Sequence, residues 1–335
     1  MNLPKVSIII PVYNAGCYFE KCLDSLINQT LKEIEIILVI DCPTDGSDKI
    51  AEFYCSIDNR IKLIYNEENL HTGLSRNRGM NIARGKYIGF HDHDDYCEPN
   101  MYELLYQKAE QEKLDVVRCN FSCIYTNKTD SENKIEKYNY PSTPTNTSDK
   151  EWIYENVSNG NISCVIWNHI YNTDFLRHHN IIFLDSRSIC SEDSLFFLEV
   201  YHSNTHKVGI VPEYLYYHIF HATNTGKIYD YRSIKNRISF FEELYVFLRQ
   251  NEIGENKCLT FLSEHVIKSL YTGSRQALLL FPLKRAIAEI RCIKKSRLIK
   301  KCINFLYKKE NSSILLHLKP TIIAFSLILK LSTKK

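Results

Sequence analysis

The chain has 335 residues, 44% of them apolar and 24% charged, and a net charge of +3. That composition is ordinary for one large or two smaller globular domains and lacks the charge excess of a nucleic-acid binder. It also contains no unbroken apolar run of the roughly 18 to 20 residues that cross a bilayer; the nearest, Ile314 to Leu331, is interrupted by His317, Lys319 and Pro320.

The twelve cysteines are scattered. Cys119 and Cys123 are closely spaced but have no second pair or neighbouring histidine, so a zinc site is not expected. The start, MNLPKVSIIIPVYN, lacks a charged region, a long apolar region and a small-residue cleavage site. The expectation is a cytoplasmic protein with reduced, mostly buried thiols.

Val6 to Val12 is apolar on both faces, as in a parallel strand covered by helices. Phe19, Cys22, Leu23, Leu26 and Ile27 then recur at helical spacing between Tyr18 and Gln29. Ile34 to Ile40 is a second buried strand and runs into Asp41. A Pro-Thr-Asp-Gly turn leads to a helix from Ser47 or Asp48 to about Cys55. Ile61 to Tyr65 is a third strand, Gly73 to Ala83 a helix, and Tyr87 to Phe90 a fourth strand. This alternation predicts a doubly wound parallel sheet.

The fourth strand ends on Asp92, Asp94 and Asp95, interleaved with His91 and His93. Ligands of open α/β sheets gather at the carboxyl edge, and clustered carboxylates repel unless a cation or proton joins them. The pattern fits a hard divalent ion, Mg2+ or Mn2+, taken up with a phosphate, or else a solvated acidic turn ahead of the next helix.

Asn100 to Lys113 reads as that helix and Val116 to Tyr125 as a strand. Asn127 to Asp149, rich in Thr, Asn, Ser, Lys and Pro, reads as a mobile loop or an irregular insertion. Glu151 to Phe183 is helical in parts. A helix opens at Ser191 to Ser194 and runs to about His202. Val208 to Val211 and Tyr214 to His218 read as short strands, and Tyr231 to Gln250 and Cys258 to Leu280 as amphipathic helices. Lys284 to Lys309 holds about ten Lys and Arg against one Glu, a pattern shared by membrane-surface helices and by solvated helical faces. The apolar segment Thr321 to Leu331 adds to the membrane reading.

Seven segments in order resemble family 2 glycosyltransferases of the GT-A fold: VSIIIPVYN (6–14), the strand ending at Asp41, GLSRNRG (73–79), GKYIGFHDHDD (85–95), WNHIY (167–171), SED (191–193) and YLYYHIFHATN (214–224). The resemblance covers about residues 4 to 225. It implies a mixed sheet with a nucleotide-binding half (1–115) and an acceptor half (116–225), followed by a helical, basic extension (226–335). It implies transfer of a sugar from a nucleotide diphosphate, usually UDP, to an acceptor hydroxyl, with inversion, in surface-polysaccharide or lipid-linked oligosaccharide synthesis. The basic tail fits a lipid-linked acceptor and an anionic membrane surface.

The resemblance also assigns roles. Asp41 accepts a hydrogen bond from the base, and Pro11, Val12 and Tyr13 line it. Arg76 lies near the diphosphate. Asp94 is the first choice of metal ligand, Asp92 contacts the ribose or a metal-bound water, and Asp95 supports them. Asp193 is the general base, and Glu192 shapes the acceptor site with Trp167. His218 or His221, late in the fold, either reaches the diphosphate or metal or is an ordinary loop or strand histidine.

Four departures stand out. Ile40 replaces the usual preceding Asp, Cys42-Pro43 replaces Gly-Ser, His91 and His93 enter the acidic segment, and Ser191 replaces a glycine. The two imidazoles either make the site pH-dependent or fill space. Two other functions share the sheet and the metal. A sugar-1-phosphate nucleotidyltransferase would want a Gly-rich, basic loop after the first strand, where this chain has Tyr-Asn-Ala-Gly-Cys-Tyr. A non-catalytic sugar-nucleotide binder would show decay of the acidic segment or the base, and both stand.

Overall fold

The computed structural model describes residues 3–126, 134–139, 154, 164–203, 208–221 and 233–308. Two compact units are present: residues 1–185 with 193–222, and residues 186–192 with 223–335.

The first unit is built on one sheet. The strands are β1 (Val6–Val12), β2 (Ile34–Ile40), β3 (Ile61–Tyr65), β4 (Tyr87–Phe90), β5 (Tyr96–Cys97), β6 (Val116–Tyr125), β7 (Lys134–Tyr138), β8 (His169–Asn172) and β9 (Gly209–Phe220). Their order is β3-β2-β1-β4-β8-β6-β9-β5, with β7 added to β6. β1 to β4 are mutually parallel, while β8 runs against both β4 and β6. The sheet is therefore mixed.

Helices cover both faces, so the strands are apolar throughout rather than alternating. Val6, Ile8, Ile10 and Val12 point into the main core with α1 (Phe19–Ile27) and α4 (Met101–Glu112). Ile9 points the other way, against α3 (His71–Ile82), and a Cβ on Gly79 would sit 2.4 Å from its Cγ2. Glycine is what allows that approach. The remaining helix among residues 1–115 is α2 (Ser47–Ile57).

On the Ile9 side a second apolar layer holds Phe90, Phe183 and Phe196. Phe90 meets both other rings edge-on, at 5.1 and 5.5 Å, and Phe183 stacks on Phe196 at 4.0 Å. This layer ties the end of β4 to α6 (Glu192–Ser203), reached from β8 through α5 (Thr173–His178).

Four strands differ from the sequence expectation. The segment read as irregular contains β7, whose residues pair with β6 from Phe121↔Tyr138 to Tyr125↔Lys134. The two short strands are one, β9. The ladder jumps from Cys119↔Val211 to Asn120↔Tyr214, skipping Glu213 and Pro212, the latter with no N–H to give. Asn120 Nδ2 instead donates to Pro212 O at 2.7 Å. β5 and β8 are four residues or shorter and were not expected. The rest of 127–149, with Thr321 to Leu331, lies outside the described residues.

The second unit is helical: α7 (Ile234–Gln250), α8 (Glu255–Leu280), α9 (Leu283–Arg291), a 3-10 turn (Cys292–Lys295) and α10 (Arg297–Lys308). α10 buries Leu298, Ile299, Cys302 and Leu306. Among the described residues no helix is long and apolar enough to cross a membrane.

Candidate active site

Asp41, the residue after β2, is buried. Its Oδ1 accepts from Asn66 Nδ2 at 2.6 Å and from the Leu70 amide at 2.8 Å. Among the described residues Oδ2 takes no such bond, which leaves one oxygen for a ligand donor. Cys42 follows with φ +57°, and its thiol donates to Asn66 O. Pro11 and Val12 are buried inside β1, whereas Tyr13 is 45% exposed. Of these three side chains, Tyr13 is the one that offers a ring to a base.

The turn after β4 is held from β9. Asp95 is buried and takes three donors: Tyr216 Oη and His218 Nδ1 on Oδ2, both at 2.8 Å, and the Ile219 amide on Oδ1 at 2.8 Å. Burial pushes the Asp95 carboxyl up, and the same carboxylate holds His218 protonated well past its ordinary range, to about 9 against the burial that lowers it. Three donors favour the ionised carboxylate, so the shared proton belongs on His218. The Tyr216 hydroxyl also accepts from the Asp92 amide at 3.2 Å.

Asp94 accepts from His221 Nε2 at 2.8 Å, and Tyr18 stacks on that imidazole at 5.0 Å. Burial opposes ionisation of Asp94. The His221 bond and the neighbouring imidazoles His93 and His218 outweigh it and hold the group at about 2. His91 is buried and its pKa falls to about 4 through burial. It packs on Tyr216 at 4.9 Å and does not titrate near neutrality. Of the two roles open to it, His91 fills space.

Arg76 joins this turn to α6. Its side chain is buried, with Nη2 on Asp92 Oδ1 at 2.9 Å and Nη1 on Asp193 Oδ1 at 2.5 Å. The guanidinium carbon lies 5.2 Å from the Phe183 ring centre. Trp167 is buried and stacks on Tyr216 at 4.3 Å and His218 at 5.3 Å. Glu192 is buried, and the segment 186–192 groups with the helical unit.

The ligand atoms of Asp92, Asp95 and His218 lie within 4.8 Å of one another. Asp94 pairs with His221 instead. Carboxylates with imidazole suit a hard or borderline divalent ion, so the donor set fits Mg2+ or Mn2+.

The glycosyl transferase family 2 profile matches residues 7–167. A relative from Bacillus subtilis named "Putative glycosyltransferase EpsH" is 31% identical over 251 residues, 75% of this chain and 71% of the relative. The chain belongs to glycosyl transferase family 2. EpsJ of the same organism, an uncharacterized glycosyltransferase, is 36% identical over 218 residues, 64% of this chain and 60% of the relative. TarS 1–349 of S. aureus, solved with UDP-GlcNAc, superposes with a TM-score of 0.63 at 21% identity, over 90% of this chain and 80% of that one. PcManGT of Pyrobaculum calidifontis, a mannosyltransferase solved with GDP-Man and Mn2+, gives 0.52 at 12% identity, over 100% and 89%. The fold is the GT-A fold, and the protein is a glycosyltransferase.

In this family 2 member, sequence reasoning passed over Tyr216 and the Asn66–Leu70 cradle of Asp41. Tyr216 had a signal. It lies two residues before His218 on one strand, so both face the same side. The cradle had none, because it depends on a loop between β3 and α3 closing over a residue 25 positions earlier in the chain.

Proposed function

We propose that the chain transfers a sugar from a UDP-sugar to a hydroxyl of a saccharide or lipid-linked saccharide acceptor, with inversion at the anomeric carbon, for surface-polysaccharide synthesis at the cytoplasmic face of a membrane. The observation that carries this reading is the Arg76 fork. One buried guanidinium holds Asp92, of the acidic turn, and Asp193, at the start of α6. The two carboxylates are thereby fixed within roughly 8 Å, two hydrogen bonds plus the width of the group. An inverting displacement needs that spacing: a base on one face of the sugar and a leaving group on the other.

Asp193 takes the proton of the acceptor hydroxyl as its oxygen attacks. Arg76 orients that carboxylate and adds positive charge on the side where the diphosphate departs. The free Asp41 Oδ2 accepts an imide N–H of uracil, and Tyr13 stacks on the base. Asp94, with Asp92 of the Asp92, Asp95 and His218 group, would hold Mg2+ or Mn2+ in exchange for its bond to His221, and the ion would supply Lewis-acid stabilisation of the leaving diphosphate. TarS, with UDP-GlcNAc bound, supports the choice of UDP. The cation surplus of the helical unit supports work at an anionic lipid surface.

Asp193→Asn tests the base. Donor binding stays and turnover falls by about 10² to 10⁴. A variant that no longer binds UDP-sugar would place Asp193 in the donor site instead.

A further inference from the structure

The longest helix of the helical unit ends on bare leucines. α8 buries Leu262, Val266, Leu270 and Ala277 along one face. In its last turn Leu278, Leu279 and Leu280 are 39%, 80% and 61% exposed, and Leu283, at the start of α9, is 67% exposed. The chain turns sharply between them. Phe281 leaves the helix at φ −120°, ψ 154° with its amide still bonded to Ala277 O at 3.1 Å, and Pro282 begins the next helix by accepting from the Arg285 and Ala286 amides. The corner is thus fixed by backbone bonds. Single exposed leucines are common on soluble proteins, but a contiguous group of this kind marks a contact.

The charges around the corner say which contact. Arg275 stands one turn before it, Lys284 and Arg285 directly after it, and all three are exposed. The Arg285 guanidinium lies 3.9 Å from the Phe281 ring centre, its stem along the apolar surface. Residues 265 to 308 hold eleven Lys and Arg and one acid, Glu289, a net +10 in a chain whose total is +3, and two of those cations, Lys268 and Lys301, pair with Glu264 and Glu255 of α8. A second copy of this chain is a poor occupant, because a two-fold contact would set these cations against themselves. An anionic bilayer matches both features: leucines pass below the headgroups while the cations stay among the phosphates.

We propose that the corner from Leu278 to Arg285 is the point at which the protein inserts into an anionic lipid surface. The inference rests on the proposed work at a membrane, and on neither the donor nor the base.

The test is flotation of the full chain, without nucleotide or metal, on vesicles of phosphatidylglycerol mixed with phosphatidylcholine and on phosphatidylcholine alone. The parent floats with the anionic vesicles. Leu279→Ser/Leu283→Ser and Lys284→Glu/Arg285→Glu each weaken that binding by about tenfold or more. Both pairs are on the surface, so melting temperature and UDP binding measured without lipid stay at parental values. Loss of UDP binding in the parent would count against the transfer reading and leave this one standing.

Three results overturn the proposal. One is parental flotation by the leucine variant. The second is a parent that sediments as a dimer while the leucine variant is a monomer, which makes the corner a protein interface. The third is loss of flotation on truncation after Lys308 with both corner variants still bound, which moves the anchor to the following segment.

Discussion

Glu35 and Asp95 are both buried carboxylates of the same sheet, and they are neutralised in opposite ways. Glu35 is the second residue of β2, at the edge away from Asp41. It accepts from Ser7 Oγ and the Arg84 amide at 2.6 Å each, and from the Lys62 ammonium and Arg84 Nε. Its cations are fixed and belong to the chain. Asp95 has a tyrosine, an imidazole and an amide, with Asp92 and Asp94 beside it adding negative charge. The first cluster is closed. The second keeps more carboxylate than fixed cation, and some of its members are partly exposed.

The largest effect that follows is on binding. Asp94→Ala should lower metal-dependent UDP affinity by about 100-fold or more, read by calorimetry with and without Mn2+. Unchanged affinity would move the metal to the Asp92, Asp95 and His218 group. Glu35→Ala should do the reverse, costing about 3 kcal/mol of stability in urea because buried donors lose their acceptor, with UDP affinity intact. A Glu35 variant that binds UDP poorly would end the distinction between a closed edge and an open one.

The two clusters should also answer pH with opposite signs. Burial raises Glu35, but Lys62, Ser7 and the Arg84 amide outweigh it, so its pKa is lowered from 4.5. Its stabilisation is present above that ordinary value and is lost as pH falls through the folded one. His218 is raised from 6.5 to about 9. Its contribution is full below 6.5 and is lost as pH rises through about 9. Unfolding of the metal-free protein should therefore become easier by about 3 kcal/mol over that interval, and His218→Gln should flatten the profile. A parental profile in the variant would assign the slope elsewhere.

Much of the open edge was legible because its chemistry is local. β1 to β4 follow from runs of Val, Ile and Leu, and Asp41 and Asp92 to Asp95 sit where those runs stop. Even Arg76 was singled out, though its partnership with Asp193 joins residues 117 positions apart and no spacing encodes it. The part of the sheet after β4 was less readable. β5 and β8 are too short to show a period, and β7 exists because β6 offers it an edge. Pro212 made one strand look like two. In each case a long-range pairing decided the structure over the local pattern.

The smallest effect concerns backbone strain. Lys113, Asn180 and Glu252 have positive φ just past helix ends, where a left-handed residue is a common cap. Asn14, Cys42 and Ser191 have it in loops, the first two each two residues past the end of a strand of the open edge, and His71 has it as the first residue of α3. Ser191, at φ +61°, stands two positions before Asp193 in the chain, where the family resemblance expects glycine. A serine pays roughly 1 kcal/mol for that conformation, and glycine returns part of it through its freer unfolded chain. Ser191→Gly should thus raise stability by about 0.5 kcal/mol in urea and leave turnover unchanged. A destabilised variant would mean that the serine side chain contributes more than its backbone costs. A stabilised variant with slower turnover would mean that the strain itself helps to set Asp193.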